Sequence, residues 1–194
     1  MDKAKLWAVL FITCTGQVLA HQPRLVESKQ RIIVENPEIS QAFFFFFDGQ
    51  PARYVIDSPR PFELYAGLLS PAINGAQTDY TALVTSDGNK LAELAKPPGD
   101  WEEFYEPFAG DSYWRGPEFS QRVPAGTYNI TVSSDDNRGK YVLVIGSAEK
   151  WPPGELVRTS LILPRLKSEF FGKSPFTSYF NYMGAFLFVL IFIL

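Results

Sequence analysis

Cysteine and histidine are almost missing from this 194-residue chain, which has one of each, Cys14 and His21. With a single cysteine there is no internal disulfide, and with so few cysteines and histidines there is no zinc site of the usual ligand sets. The stretch Gly110-Asp111-Ser112 has the letters of a serine-hydrolase nucleophile block, but that chemistry needs a histidine base within hydrogen-bond reach, and His21 is the sole candidate. No glycine-rich phosphate loop is present. Excess positive charge is missing too. The chain has 18 basic and 21 acidic residues; residues 1–20 hold Lys3, Lys5 and Asp2, so 16 basic against 20 acidic remain beyond them. That balance argues against nucleic acid as a partner, since polyphosphate is drawn by clustered cations. Finally, charge of either sign is missing from Phe176 to Leu194.

The two ends are the most readable parts. Lys3 and Lys5 precede an apolar core, Leu6 to Cys14, and Val18-Leu19-Ala20 places small or modest residues at a cleavage site. This is the layout of a secretory signal peptide over 1–20, and its core is shorter than the ~20 residues a membrane span needs. An uncleaved anchor and lipidation at Cys14 are the competing readings. Cleavage after Ala20 would leave His21 first. Its amine and imidazole together suit Cu(II), although a full copper brace needs a second histidine.

At the other end, 174–194 reads as a transmembrane anchor. Tyr179 and Tyr182 lie where an interfacial aromatic belt would fall, and Met183 to Leu194 is wholly apolar. A processed lipid-anchor tail, a partner helix and an incomplete chain end are the alternatives. The two ends together predict a single-pass cell-membrane protein with its folded domain extracytoplasmic.

Between the ends, residues 21–30 read as a flexible segment and 31–150 as one domain of short strands. Expected strands are Arg31 to Glu35, Ile39 to Phe47, Arg53 to Asp57, Phe62 to Leu69, Tyr80 to Thr85, Lys90 to Leu94 and Tyr113 to Val123, the last broken at Gly116-Pro117. Gly126 to Ser133 alternates with period two, and Lys140 to Gly146 is its expected hairpin partner across the turn at 134–139. The expected fold is mostly β: an antiparallel, jelly-roll-like β-sandwich followed by a C-terminal amphipathic helix and a transmembrane helix. Five consecutive phenylalanines, Phe43 to Phe47, put rings on both faces of one strand. The rings are expected to be buried or covered by the later helix; an exposed half would instead mark a partner surface.

The segment Val123-Pro124-Ala125-Gly126-Thr127-Tyr128-Asn129-Ile130-Thr131-Val132, followed by Gly139-Lys140-Tyr141-Val142-Leu143-Val144-Ile145-Gly146, resembles the closing hairpin of pre-peptidase C-terminal-type sandwich domains. The resemblance implies an extracellular accessory module, a class in which some members bind calcium. Ser134-Asp135-Asp136-Asn137 offers oxygen ligands for Ca²⁺, and the same letters make a tight turn. Asn129-Ile130-Thr131 fits a glycosylation acceptor.

Residues 151–173 read as a linker and amphipathic helix that begins near Pro152-Pro153-Gly154-Glu155. Leu156, Leu163, Leu166 and Phe170 fall on one face, while Arg158, Arg165, Lys167 and Lys173 mark a basic side. Pro164 is expected to kink or split the helix.

The richest candidate surface is 101–115, read as a loop mixing aromatics and carboxylates. Trp101, Tyr105, Glu106, Asp111, Tyr113 and Trp114 are the candidate ligand-binding residues. Glu102, Glu103, Glu106 and Asp111 are the carboxylates that a glycosidase would need at a fixed separation. The bland alternative is that the aromatics plug the end of the sandwich. The expected function is a binding or structural module for a protein or glycan at the cell surface, not an enzyme. Copper binding through His21 and a carbohydrate-active site in 101–115 are the alternatives.

Overall fold

The computed structural model describes residues 21–26, 31–182 and 184–185. The expected signal peptide, and Met183 and 186–194 of the expected anchor, lie outside them.

Among the described residues, eleven strands form two sheets packed face to face. They are β1 (Gln22–Val26), β2 (Arg31–Val34), β3 (Gln41–Phe46), β4 (Ala52–Ser58), β5 (Phe62–Pro71), β6 (Thr81–Ser86), β7 (Asn89–Leu94), β8 (Glu102–Glu106), β9 (Asp111–Val123), β10 (Gly126–Ser133) and β11 (Lys140–Ile145). One sheet runs β1-β3-β11-β5-β9-β8, the other β2-β4-β10-β6-β7.

Four differences from the sequence reading matter. The sheets are mixed rather than antiparallel, because β1 runs parallel to β3 and β2 parallel to β4. Residues 22–26, expected to be flexible, form the edge strand β1: Gln22 and Arg24 find polar partners there, and Leu25 packs under the C-terminal helix. β9 runs on through Gly116-Pro117, but its ladder with β5 is interrupted there: these two residues lie opposite Leu68 alone, a bulge between the pairs Glu118↔Gly67 and Arg115↔Leu69. Finally, β10 and β11 are not a hairpin. β10 pairs with β4 and β6, whereas β11 pairs with β3 and β5 in the opposite sheet. The turn at 134–139 is therefore an arch between sheets. The burial patterns give the reason: β10 buries alternate residues, as a strand with one solvated face should, whereas β11 buries every residue from Tyr141 to Ile145.

The phenylalanine run shows how one strand serves two cores. Phe43 and Phe45 point between the sheets, where Phe43 meets Tyr54 edge-on with centroids 5.4 Å apart. Phe44 and Phe46 point outward and meet Phe170 at 5.0 and 5.4 Å. Each fully buried ring contributes roughly 1.5–3 kcal/mol through its removal from water.

The outer cover is α1 (Pro153–Arg165) and the turn that succeeds it. Pro153 sits at the first helical position, where its missing N–H costs nothing, and Glu155 places negative charge in the first turn. Glu155 also pairs with Arg24 of β1 at 2.5 Å, which fixes this end to the sheet edge. Pro164 supplies no N–H to the helix, and Leu166–Phe170 continues as a π-helical turn, with Phe171 N–H donating to the Leu166 carbonyl at 3.1 Å. The extra residue in that turn rotates the side chains beyond it. Lys167, expected on the basic side, lies four residues after Leu163 and three before Phe170, on the buried face, and is 1% exposed.

A 3₁₀ turn, Pro175–Tyr179, packs beside α1. No helix among the described residues is long and apolar enough to cross a membrane.

Candidate functional site

The 101–115 stretch is a hairpin rather than a loop. β8 and β9 pair from Glu102↔Arg115 to Glu106↔Asp111, with the turn at 107–110 between them. Alternation then separates the candidate residues. Glu106, Asp111 and Tyr113 face α1, and Tyr113 stacks on Phe104 with centroids 5.7 Å apart. Trp114 packs on the core between the sheets. Trp101 is inside that core, edge-on to Tyr80, and its indole lies where any side chain at position 116 would sit: a Cβ on Gly116 would come 2.5 Å from the ring. Trp101 thus plugs the sandwich. Tyr105 is the exposed member of the set. The six residues do not share one surface.

The carboxylates are equally divided. Glu102 and Glu103 point to opposite faces of the edge strand and are exposed. Glu106 is buried and holds the turn, accepting the N–H groups of Phe108 and Ala109 at 2.7 and 2.8 Å. Burial, with a contribution from Asp111, pushes the Glu106 carboxyl up to about 7 against the pull of those two N–H groups and Lys167. Asp111 lies in ion pairs: its Oδ2 is 2.6 Å from Lys167 Nζ and its Oδ1 is 2.9 Å from Lys173 Nζ. No pair of these carboxylates is presented to a substrate, which removes the structural basis for a glycosidase site here.

What the hairpin does carry is a buried polar cluster between sheet and helix. Asp111 and Lys167 are 2% and 1% exposed at their side chains. Lys167 also donates to the Ala109 carbonyl at 2.5 Å, and Asn181 donates to the same oxygen at 2.8 Å. On the β11 side, Lys140 donates to the Glu169 and Phe170 carbonyls at 2.8 and 2.9 Å, and burial lowers its pKa. Positive charge at these closing carbonyls suits the negative end of the helical segment. Beside the cluster is a small cavity of about 30 Å³, lined by apolar side chains together with His21, Glu106, Asp111 and Thr159. The Thr159 hydroxyl is buried there without a hydrogen-bond partner.

His21 is therefore placed, and its ring is half-buried. Its Nδ1 bonds the Ser40 hydroxyl at 2.5 Å, and burial, with Arg115 nearby, drives its pKa down to about 4. A copper chelate with the His21 amine would use that same Nδ1, so Ser40 would have to release it. Among the described residues no group of three His, Cys, Asp or Glu side chains can hold a metal ion. Two of the proposed calcium oxygens serve their own turn: Asn137 Oδ1 accepts Ser134 N–H at 3.1 Å, and Asp136 Oδ1 accepts Arg138 N–H at 2.9 Å.

Two surfaces escaped the sequence reading. A polar cleft of about 240 Å³ opens where β1 and β2 edge the sandwich, lined by Gln22, Arg24, Glu35, Asn36, Gln41 and Arg158. Its floor is pre-set, with Arg24 donating to both Gln22 and Gln41. These residues are scattered along the chain; the parallel pairing of β1 with β3 brings Gln22 and Arg24 beside Gln41. The second surface is a run of exposed aromatics, of which Tyr179 and Tyr182 were foreseen. Phe176 and Phe180 are 73% and 85% exposed.

This arrangement defines a class: a two-sheet, mixed β-sandwich with a helical cover on one face. No family model matches the chain, and no curated protein matches it. Among solved structures it is similar to the pre-peptidase C-terminal domain of a collagenase from Bacillus anthracis (10% identity, 65% of this chain and 95% of that one, TM-score 0.35), the type that residues 123–146 resemble. It is also similar to CorA, a surface-associated copper-binding protein of Methylomicrobium album BG8 (8% identity, 64% and 100% coverage, TM-score 0.31). A third likeness is to the catalytic domain of a GH87 alpha-1,3-glucanase (17% identity, 57% and 23% coverage, TM-score 0.29).

Proposed function

We propose that the chain is a β-sandwich module held at a membrane by its C-terminal segment, with the folded domain on the extracytoplasmic side, serving as a binding or structural element for a surface protein or glycan. The observation that carries the reading is the exposure of Phe176, Tyr179, Phe180 and Tyr182 within seven residues, immediately before the apolar tail. Four bare aromatics in so short a stretch are costly in water and favourable at the headgroup level of a bilayer. The sandwich itself offers the polar cleft at the β1–β2 side as the concave surface for a partner.

The test is fractionation of the full chain in cells. Retention in the membrane pellet through an alkaline wash, with digestion by protease added outside intact cells, supports the reading. Recovery in the medium, or protection within the cytosol, defeats it. A variant with Phe176 and Phe180 both changed to Ser should fold normally and leave the pellet more readily.

A further inference from the structure

The Asp111–Lys167 pair is unusual in being dry on both sides and tightly apposed. A buried ion pair pays heavily for desolvation, and in a medium of low polarity a proton can move along the hydrogen bond to leave a neutral amine facing a neutral acid. Lys167 Nζ is 2.6 Å from Oδ2, so the amine and the carboxyl group it would join are already in contact. Lys167 is held there by a second bond to the Ala109 carbonyl, and it shares the buried face of its helical segment with Leu163, Leu166 and Phe170. Phe171 and Tyr113 meet edge-on at 5.4 Å in the same apolar shell, and Phe171 also lies beside Lys167 Nζ.

The geometry points to an intramolecular amide between Lys167 Nζ and Asp111 Cγ, formed with loss of one water, that joins the helical cover covalently to the six-stranded sheet.

Each step uses a group at the pair or in the lining of the cavity beside it. The Lys167 proton on the Nζ–Oδ2 hydrogen bond passes to Oδ2, giving amine and carboxylic acid. The Nζ lone pair attacks Cγ, and the displaced C=O electrons move onto Oδ1, which faces the Lys173 ammonium at 2.9 Å. Glu106 is the cross-strand partner of Asp111 on the same face. In its acid form it protonates the Oδ2 hydroxyl, which leaves as water with the electrons of the broken C–O bond. Oδ1 re-forms the carbonyl, and the nitrogen returns a proton to Glu106. Nothing is oxidised or reduced, and no co-reactant is needed. The burial that pushes Glu106 up to about 7 keeps a protonated fraction present at neutral pH. The adjoining cavity of about 30 Å³, which Glu106 and Asp111 both line, has room for the released water. Lys173 is 41% exposed and contacts Oδ1, not the Oδ2 that leaves.

The bond would close a loop of 56 residues in a chain with no disulfide open to it, just ahead of the segment proposed to meet the membrane. The inference does not depend on that membrane reading.

Peptide mapping of the full chain tests it. Trypsin leaves Asp111 in residues 91–115, since Lys96 precedes Pro97, and Lys167 in 166–173 if that lysine is blocked. The expected product is a branched species joining these two peptides, lighter than their sum by one water, with no cleavage after Lys167. Lys167→Met should abolish the branch. Glu106→Gln should give linear peptides while near-ultraviolet circular dichroism shows native packing. Linear 91–115 with cleavage after Lys167 in folded wild-type protein overturns the inference, as does a branch through Lys173. A branch that persists in folded Glu106→Gln overturns the proton route.

Discussion

Tyr54 and Tyr141 share one hydroxyl-to-hydroxyl hydrogen bond, 3.0 Å long, across the interior between the two sheets. Both rings are fully buried, and burial raises both phenols far above their ordinary range, so the bond is between neutral groups at any working pH. Removing one hydroxyl strands the other. Tyr54→Phe or Tyr141→Phe alone should cost about 1–3 kcal/mol in urea unfolding, and the double variant should cost clearly less than the sum. Additive losses would show that each hydroxyl has another partner.

The helical cover should depend on Phe44. Its ring meets Phe170 at 5.0 Å and Phe171 at 6.5 Å on the outer face of the six-stranded sheet. Phe44→Ala should lower stability by roughly 3–5 kcal/mol and speed hydrogen exchange in α1 more than in β10, which lies in the opposite sheet. Equal acceleration in both would mean that cover and sandwich unfold as one unit.

His21 and Glu106 border one cavity and should respond to pH in opposite senses. His21 falls from 6.5 to about 4 on folding, so its contribution is complete above 6.5 and is lost as pH drops through 4. Glu106 rises from 4.5 to about 7, so the folded state holds the extra proton and stability declines as pH climbs from 4.5 to 7. In the native protein the two slopes oppose each other between 4.5 and 6.5. His21→Gln should expose the decline, and Glu106→Gln the rise, in urea midpoints taken across that window. Identical pH profiles for the two variants would contradict the assignment.

Gly116 should tolerate no side chain. The atoms nearest a Cβ there are Trp101 ring carbons at 2.5 and 2.7 Å, and the indole is itself fixed between the sheets. Gly116→Ala should destabilise by about 1–3 kcal/mol and shift tryptophan emission to the red as Trp101 is displaced. An unchanged spectrum would mean that the hairpin can move aside.

Much of the sandwich was legible because apolar alternation and turn residues are local signals. The Tyr128-Ile130-Val132 stripe of β10 and the two-sided Phe43 to Phe47 run both predict burial that the structure contains. The pairing of β10 and β11 was not legible: strand pattern states which face is buried, and nothing in six turn residues states whether the chain returns in the same sheet. β1 was missed because Gln22-Pro23-Arg24 looks polar and irregular, and its place in the sheet rests on partners as distant as Lys150 and Glu155. Lys167 was misplaced because its charge was weighed above its spacing. It lies four residues after Leu163 and three before Phe170, which is the spacing of a single helical face. The charge cluster could have been suspected only from the pairing of Glu106 with Asp111 across a four-residue turn.

The position of the helical cover late in the chain has a consequence for biogenesis. The eleven strands among the described residues end by Ile145, while the C-terminal residues that shield Phe44, Phe46, Leu69, Tyr113, Val142 and Val144 begin at Trp151. A chain emerging amino-terminus first completes its sandwich while that apolar face is still bare. For the time needed to make and deliver the last few dozen residues, the nascent protein presents a broad sticky surface to its neighbours. Its most dangerous state is thus a nearly finished one, and a chain cut short between Ser147 and Leu163 and then released would fold its strands with that face bare and be primed to aggregate.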